Sequence, residues 1–226
     1  MVPSGRPHED ALEHLRIIRT LMERAHIYRA VSAPAALFGG SSALVLSAYG
    51  LYADYGVLIP GARHSGFLIA WLTLLVLATV LNLGLLVHES KGRGQPIVTG
   101  GMRMALRAFI PPMFTGGFLS TFLVLLKHQD QLALAALVWI LCYGLALQAT
   151  ASFAPRSIVL LGRAFLLAGI ISTFCWFTWE NADQVWRPEA EASAFLGLSF
   201  GLAHVIYAVA VFLSKAKVAA PVPLTE

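Results

Sequence analysis

The sequence has few charged residues. Only 12% of its 226 residues are Asp, Glu, Lys or Arg, against ~25% in soluble domains, so a water-soluble fold would lack the charge to cover its surface. The net charge of +4 comes from basic residues at the ends of apolar stretches, which indicates lipid headgroups rather than nucleic acid as their partner. The composition therefore predicts a protein surrounded by a lipid bilayer.

Sequence motifs for catalysis and cofactor binding are also missing. No HExxH or glycine-rich phosphate loop occurs, and the apolar stretches have no Asp or Glu in their middles. The two cysteines, Cys142 and Cys175, lack CxxC spacing, so neither a disulfide framework nor a zinc site is indicated. We therefore expect a protein that is not an enzyme and has no cofactor or metal.

What the sequence does have is long apolar blocks. Each is long enough to cross a ~30 Å hydrocarbon layer as a helix. The six blocks cover about 30–53, 66–88, 108–126, 132–153, 157–179 and 192–214. They predict an all-α polytopic transmembrane bundle of six spans. Because Pro111-Pro112 and Gly116-Gly117 fall in the third block, we expect a kink or a late start there.

Three regions follow from this pattern. Residues 1–29 form a cytoplasmic N-terminal region with an amphipathic helix from residue 8, because apolar residues recur there at spacings of three and four. They are Leu12, Leu15, Ile18, Met22 and Ala25. Residues 30–214 form the six-helix transmembrane domain. Residues 215–226 are rich in proline for their length and are predicted to be a disordered cytoplasmic tail.

The positions of Lys and Arg predict the orientation in the membrane. With both termini in the cytoplasm, 13 of the 16 basic residues lie on the cytoplasmic side, as the positive-inside rule requires. They are Arg6, Arg16, Arg19, Arg24, Arg29, Lys91, Arg93, Arg103, Arg107, Arg156, Arg163, Lys215 and Lys217. Only Arg63, Lys127 and Arg187 remain outside.

Polar residues inside apolar blocks are the candidates for a functional site, because a polar group in lipid costs free energy unless it is paired. They are Asn82 in the second block, Gln148 in the fourth and His204 in the sixth. Either each forms a hydrogen bond with a neighbouring helix, or the three face one central cavity and form a mid-membrane polar site.

Small residues at four-residue spacing mark two faces on which helices can approach closely in lipid. One face contains Ser193, Gly197 and Gly201, and the other contains Gly39, Ala43 and Ser47. These faces pack either inside the chain or against a second copy or a partner subunit.

Several segments resemble bacterial inner-membrane proteins with six spans. They are RIIRTLMERA at residues 16–25, AVSAPAALFGG at 30–40, AFIPPMFTGGFLS at 108–120 and YGLALQA at 143–149. The resemblance implies a bacterial origin and the six-span plan, and it carries no activity or site residue to this chain.

Three functions remain open. The first is an accessory or scaffold subunit that packs against other membrane proteins or itself, which suits the small-residue faces. The second is a transporter or channel for a small solute or ion, with its path lined by Asn82, Gln148 and His204. The third is a subunit of a redox or pigment-binding complex that holds its cofactor through a partner.

Overall fold

The computed structural model describes residues 13–16, 31–53, 63–92, 100–126, 131–152, 154–179 and 187–219, and their regular structure is helical throughout. The helices are α1 (Ala33–Tyr52), α2 (Arg63–Gly92), α3 (Gly100–Leu126), α4 (Leu132–Ala149), α5 (Arg156–Trp179), α6 (Pro188–Leu196) and α7 (His204–Ala219). A π-helical segment, Gly197–Ala203, joins α6 to α7.

Six helices in the described part of the chain are long and apolar enough to cross a membrane. Their apolar stretches are Ala33–Tyr52, Gly66–Gly92, Met102–Leu125, Leu132–Ala149, Arg156–Thr178 and Pro188–Ser214. The last stretch runs through α6, the π-helical segment and most of α7, which together are called the sixth span. The prediction of an all-helical protein with six candidate spans is therefore confirmed, and the chain has the character of a multi-pass integral membrane protein. Of the predicted N-terminal amphipathic helix, only residues 13–16 are described, as helical and exposed; the rest lies outside the described residues.

The third span differs from the expectation of a late start. Helix α3 begins at Gly100 and runs through Pro111 and Pro112 to Leu126. Proline removes two backbone donors from the helix, but in lipid no other conformation pairs so many backbone groups, so the helix persists around the defect. At the other end of the chain, α7 extends to Ala219 and so includes five residues of the segment assigned to the tail.

The ends of α1 and α6 follow from local capping. Ser32 precedes α1 with extended backbone angles, and its hydroxyl accepts a hydrogen bond from the Ala35 amide at 3.3 Å. Such a side chain satisfies one of the amides that have no partner in the first turn of a helix. Helix α6 begins with Pro188, whose missing amide proton costs nothing at a first helical position.

Two helices organise the bundle. Helix α4 packs against α3, α5 and α6, whereas α1 packs against α2, α6, the π-helical segment and α7. Helices α2 and α3 are attached mainly through α1 and α4 respectively and are not packed along each other in the described structure. They therefore stand on either side of a cavity whose floor is formed by α1, α4 and the sixth span.

The predicted small-residue faces pack inside the chain. The Ser47 hydroxyl donates a hydrogen bond to the Ser193 carbonyl at 2.6 Å, and a Cβ added to Gly201 would lie 2.7 Å from the Leu44 side chain. Ala43 is buried, and Gly197 lies so close to Ser47 that it has no room for a side chain. Gly39 lies beside Ala78 of α2 instead, and its neighbour Gly40 takes its place against the π-helical segment.

Candidate functional site

A cavity of about 680 Å³ lies between α2 and α3. Its walls are mostly aliphatic and aromatic, and Glu89 is the only charged side chain among the described residues that line it. A volume of ~300–1,000 Å³, apolar walls and a few polar groups are typical of sites for small molecules. This cavity is the candidate functional site.

An aromatic cluster forms the floor of the cavity at the centre of the bundle. The rings of Tyr143, Phe165 and Phe200 have centroids 4.7–4.9 Å apart, and the imidazole of His204 stacks on Phe200 at an interplanar angle of 10°. Phe109 of α3 adds an edge contact to Tyr143. Tyr143, Phe200, His204 and Phe109 line the cavity, whereas Phe165 is fully buried behind them. The cluster therefore holds the side chains of Tyr143 and His204 in fixed positions at the floor of the cavity.

Hydrogen bonds define the protonation pattern of His204. Its Nδ1 atom lies 2.8 Å from the Phe200 carbonyl oxygen, and its Nε2 atom lies 3.0 Å from the Tyr143 hydroxyl. Since a carbonyl only accepts hydrogen bonds, Nδ1 carries the proton of the neutral imidazole, and Nε2 accepts the proton of Tyr143. The tautomer is assigned from this hydrogen-bond pattern.

The π-helical segment sets the position of His204. The His204 amide donates to the Gly201 carbonyl, while its imidazole donates to the carbonyl of Phe200 one turn earlier. π-Helical turns are rare and often occur at functional sites. In this protein the turn ends at the residue that contacts Tyr143, so the irregular geometry and the polar pair belong to one structural unit.

Asn82 lines the cavity near the start of α1. Its side-chain oxygen accepts hydrogen bonds from the backbone amide of Ser32 at 2.9 Å and from the Ser32 hydroxyl at 3.2 Å. Asn82 therefore joins α2 to the N-terminal cap of α1. Because α2 packs mainly against α1, this contact fixes the wall of the cavity that α2 forms.

Replacing Asn82 with leucine is expected to destabilise the protein by about 1–2 kcal/mol, because two donors of Ser32 lose their acceptor. The thermal unfolding of detergent-solubilised protein measures the effect. Ser41→Ala is the matched control, since among the described residues that hydroxyl bonds to carbonyls of its own helix at Leu37 and Phe38. Equal melting temperatures for Asn82→Leu and Ser41→Ala would contradict the proposed role of Asn82.

Gln148 does not line the cavity. It lies one residue before the end of α4, and its Nε2 atom donates to the Val159 carbonyl of α5 at 3.2 Å. Gln148 therefore ties α4 to α5 beside their connection. Of the three candidate polar residues, the structure brings Asn82 and His204 to one cavity and places Gln148 elsewhere.

Sequence reasoning missed Tyr143, the aromatic cluster and the π-helical segment. Tyr143 lies in an apolar block, where a single tyrosine resembles any other aromatic residue of a membrane helix. On the facing wall, the indole Nε1 of Trp71 is buried and has no hydrogen-bond partner within the described residues. No sequence pattern indicates which side chains of different helices lie at the same depth in the membrane, so the sequence could not show that these residues meet at one cavity.

Comparison of the chain with protein-family models, with curated proteins and with solved structures gives no match. Function must therefore be argued from the cavity itself, because a helical membrane bundle as such implies no particular activity.

Proposed function

We propose that this chain is a non-enzymatic integral membrane protein that binds a small molecule with an apolar body in the cavity between α2 and α3. It lies in a bacterial inner membrane, as the resemblance implies, with both termini in the cytoplasm, as the distribution of basic residues favours. The observation that carries the proposal is the cavity of about 680 Å³ with aliphatic and aromatic walls.

The size of the cavity suits a small molecule. Its volume of about 680 Å³ lies within the ~300–1,000 Å³ usual for small-molecule sites, so a ligand of that size fits without moving α2 or α3.

The packing of the helices also changes the support for two of the hypotheses drawn from the sequence. The accessory-subunit hypothesis relied on small-residue faces, and the residues on these faces contact one another within the chain, as Ser47 and Ser193 do. The transporter hypothesis keeps part of its support, because Asn82 and His204 line one cavity. A transporter and a subunit that holds a ligand would both have to bind an apolar molecule, so ligand binding is common to the two hypotheses.

Fluorescence quenching tests the proposal, because Trp71 and Trp139 both line the cavity. Dibrominated octadecane quenches nearby indoles and resembles an apolar ligand body. Added to the protein in a bromine-free detergent, it is expected to quench part of the emission saturably.

A blocked variant separates the cavity from the outer surface. Thr79→Phe with Thr121→Phe puts bulk on both walls, and we expect at least about tenfold weaker binding because the ligand loses most of its apolar contact. Val80→Phe with Leu125→Phe is the control, since both residues are exposed and lie off the cavity. Quenching that does not saturate in the native chain, or is equal in both double variants, would refute the proposal.

A further inference from the structure

The charge of the cavity wall restricts the ligand. No lysine or arginine is among the described residues that line it, and Glu89, its only charged side chain, already interacts with another group. A carboxylate or phosphate in a low-dielectric site without a cation loses its hydration and gains no ion pair, which costs several kcal/mol. The wall therefore selects against anions.

The hydrogen bonds of the wall restrict the ligand further. Three lining hydroxyls give their single proton to another protein group: Ser120 to the Ala135 carbonyl, Thr150 to the Leu147 carbonyl and Tyr143 to His204. Each hydroxyl oxygen keeps acceptor capacity after donating its proton. These three hydroxyls therefore offer an acceptor to a ligand, whereas the buried indole N–H of Trp71, which has no hydrogen-bond partner within the described residues, offers a donor. A hydroxyl group on the ligand can both donate to such an acceptor and accept from such a donor.

Tyr143 is the best placed of these three acceptors. The rings of Phe165, Phe200 and His204 pack against its ring with centroids 4.7–5.6 Å away, and its hydroxyl is hydrogen-bonded to His204, so its phenol oxygen is held in place. His204 cannot reverse this bond in its neutral form, because its only N–H is committed to the Phe200 carbonyl. His204 therefore acts as a positioning residue that keeps the lone pairs of Tyr143 available to the cavity.

We infer that the ligand is an uncharged hydrocarbon that bears a hydroxyl group, and that this hydroxyl donates a hydrogen bond to the phenol oxygen of Tyr143. The inference rests on the proposed function, since it specifies the ligand of the same cavity. A hydroxyl adds a polar group to an apolar body without adding charge.

The test uses probes that share one dibrominated octadecyl body and differ only at the end group: an alkane, an alcohol, a methyl ester, a carboxylate and an amine. The alcohol is expected to bind about threefold to tenfold more tightly than the alkane, the net effect of one hydrogen bond. The carboxylate is expected to bind more weakly than the alkane. The methyl ester can accept a hydrogen bond but cannot donate one. It would bind best if the indole N–H of Trp71, rather than the Tyr143 oxygen, set the preference.

Tyr143→Phe is expected to abolish the preference for the alcohol over the alkane, and thermal unfolding in detergent checks that the variant is folded. Tyr207→Phe is the matched control, because its hydroxyl donates to the Val31 carbonyl and Tyr207 does not line the cavity. It should keep the preference.

The outcomes separate the two claims. If no probe quenches saturably, the proposed function fails. If the alkane binds saturably but the alcohol binds no better, or if the ester, carboxylate or amine binds best, only the hydroxyl inference fails. The probe series in the native chain decides this even if Tyr143→Phe does not fold.

Discussion

Replacing Gly40 with alanine is expected to lower the stability of the protein by about 1–3 kcal/mol, the usual cost of overpacking. A Cβ at this position would lie 2.9 Å from the Gly201 carbonyl oxygen and 2.9 Å from the Val205 amide nitrogen. Both atoms belong to the backbone, so no side-chain rotation relieves the contact. Helix α1 must move away from the sixth span, and the melting temperature in detergent should fall.

Gly39→Ala is the matched control one residue earlier. Among the described residues, its Cβ would meet only the Ala78 Cβ, at 3.4 Å, which is ordinary van der Waals contact. Because alanine favours the helix over glycine by up to about 1 kcal/mol, this variant should be neutral or more stable. If Gly40→Ala were as stable as Gly39→Ala, the close approach of α1 to the π-helical segment would be refuted.

Replacing Gly116 with alanine is expected to push α3 away from α4. The added Cβ would lie 2.5 Å from the Cβ of Cys142, and neither atom can rotate away. Since α3 packs mainly against α4 and forms one wall of the cavity, a loss of about 1–3 kcal/mol should be accompanied by loss of probe binding. Thermal unfolding and quenching by dibrominated octadecane measure the two effects.

A size swap distinguishes this contact from a general effect of alanine. Gly116→Ala combined with Cys142→Gly moves the Cβ from one helix to the other and removes the overlap. We expect the double variant to recover much of the melting temperature and the probe binding, after allowing up to about 1 kcal/mol for glycine within α4. A double variant less stable than Gly116→Ala alone would contradict the proposed contact.

The number and type of helices were predictable from the sequence. Apolar blocks of about the length that spans a bilayer occur six times, and a backbone in lipid must satisfy its own hydrogen bonds. Of the kink or late start expected around Pro111 and Pro112, the late start is wrong, because α3 begins at Gly100. In lipid, a helix with two missing donors still pairs more groups than any alternative.

The candidate site was predictable only in part. His204 and Asn82 were selected as polar residues in apolar blocks, and both line the cavity. Gln148 met the same criterion, but α4 ends at Ala149, so its amide bonds across the connection to α5. A block boundary in sequence locates a helix end only within a few residues, and that uncertainty decides whether a side chain is deep in a span or at its end.

The sequence by itself determined that the chain forms apolar helices and which of their faces contain small residues, because both properties depend on neighbouring positions along one helix. The tertiary structure alone decided that these faces meet each other, that α2 and α3 stand apart, and that the Tyr143 hydroxyl forms a hydrogen bond with the imidazole of His204. These features depend on the depth and rotation of whole helices relative to one another. Contacts distributed over several helices set both quantities, and no local pattern of residues encodes them.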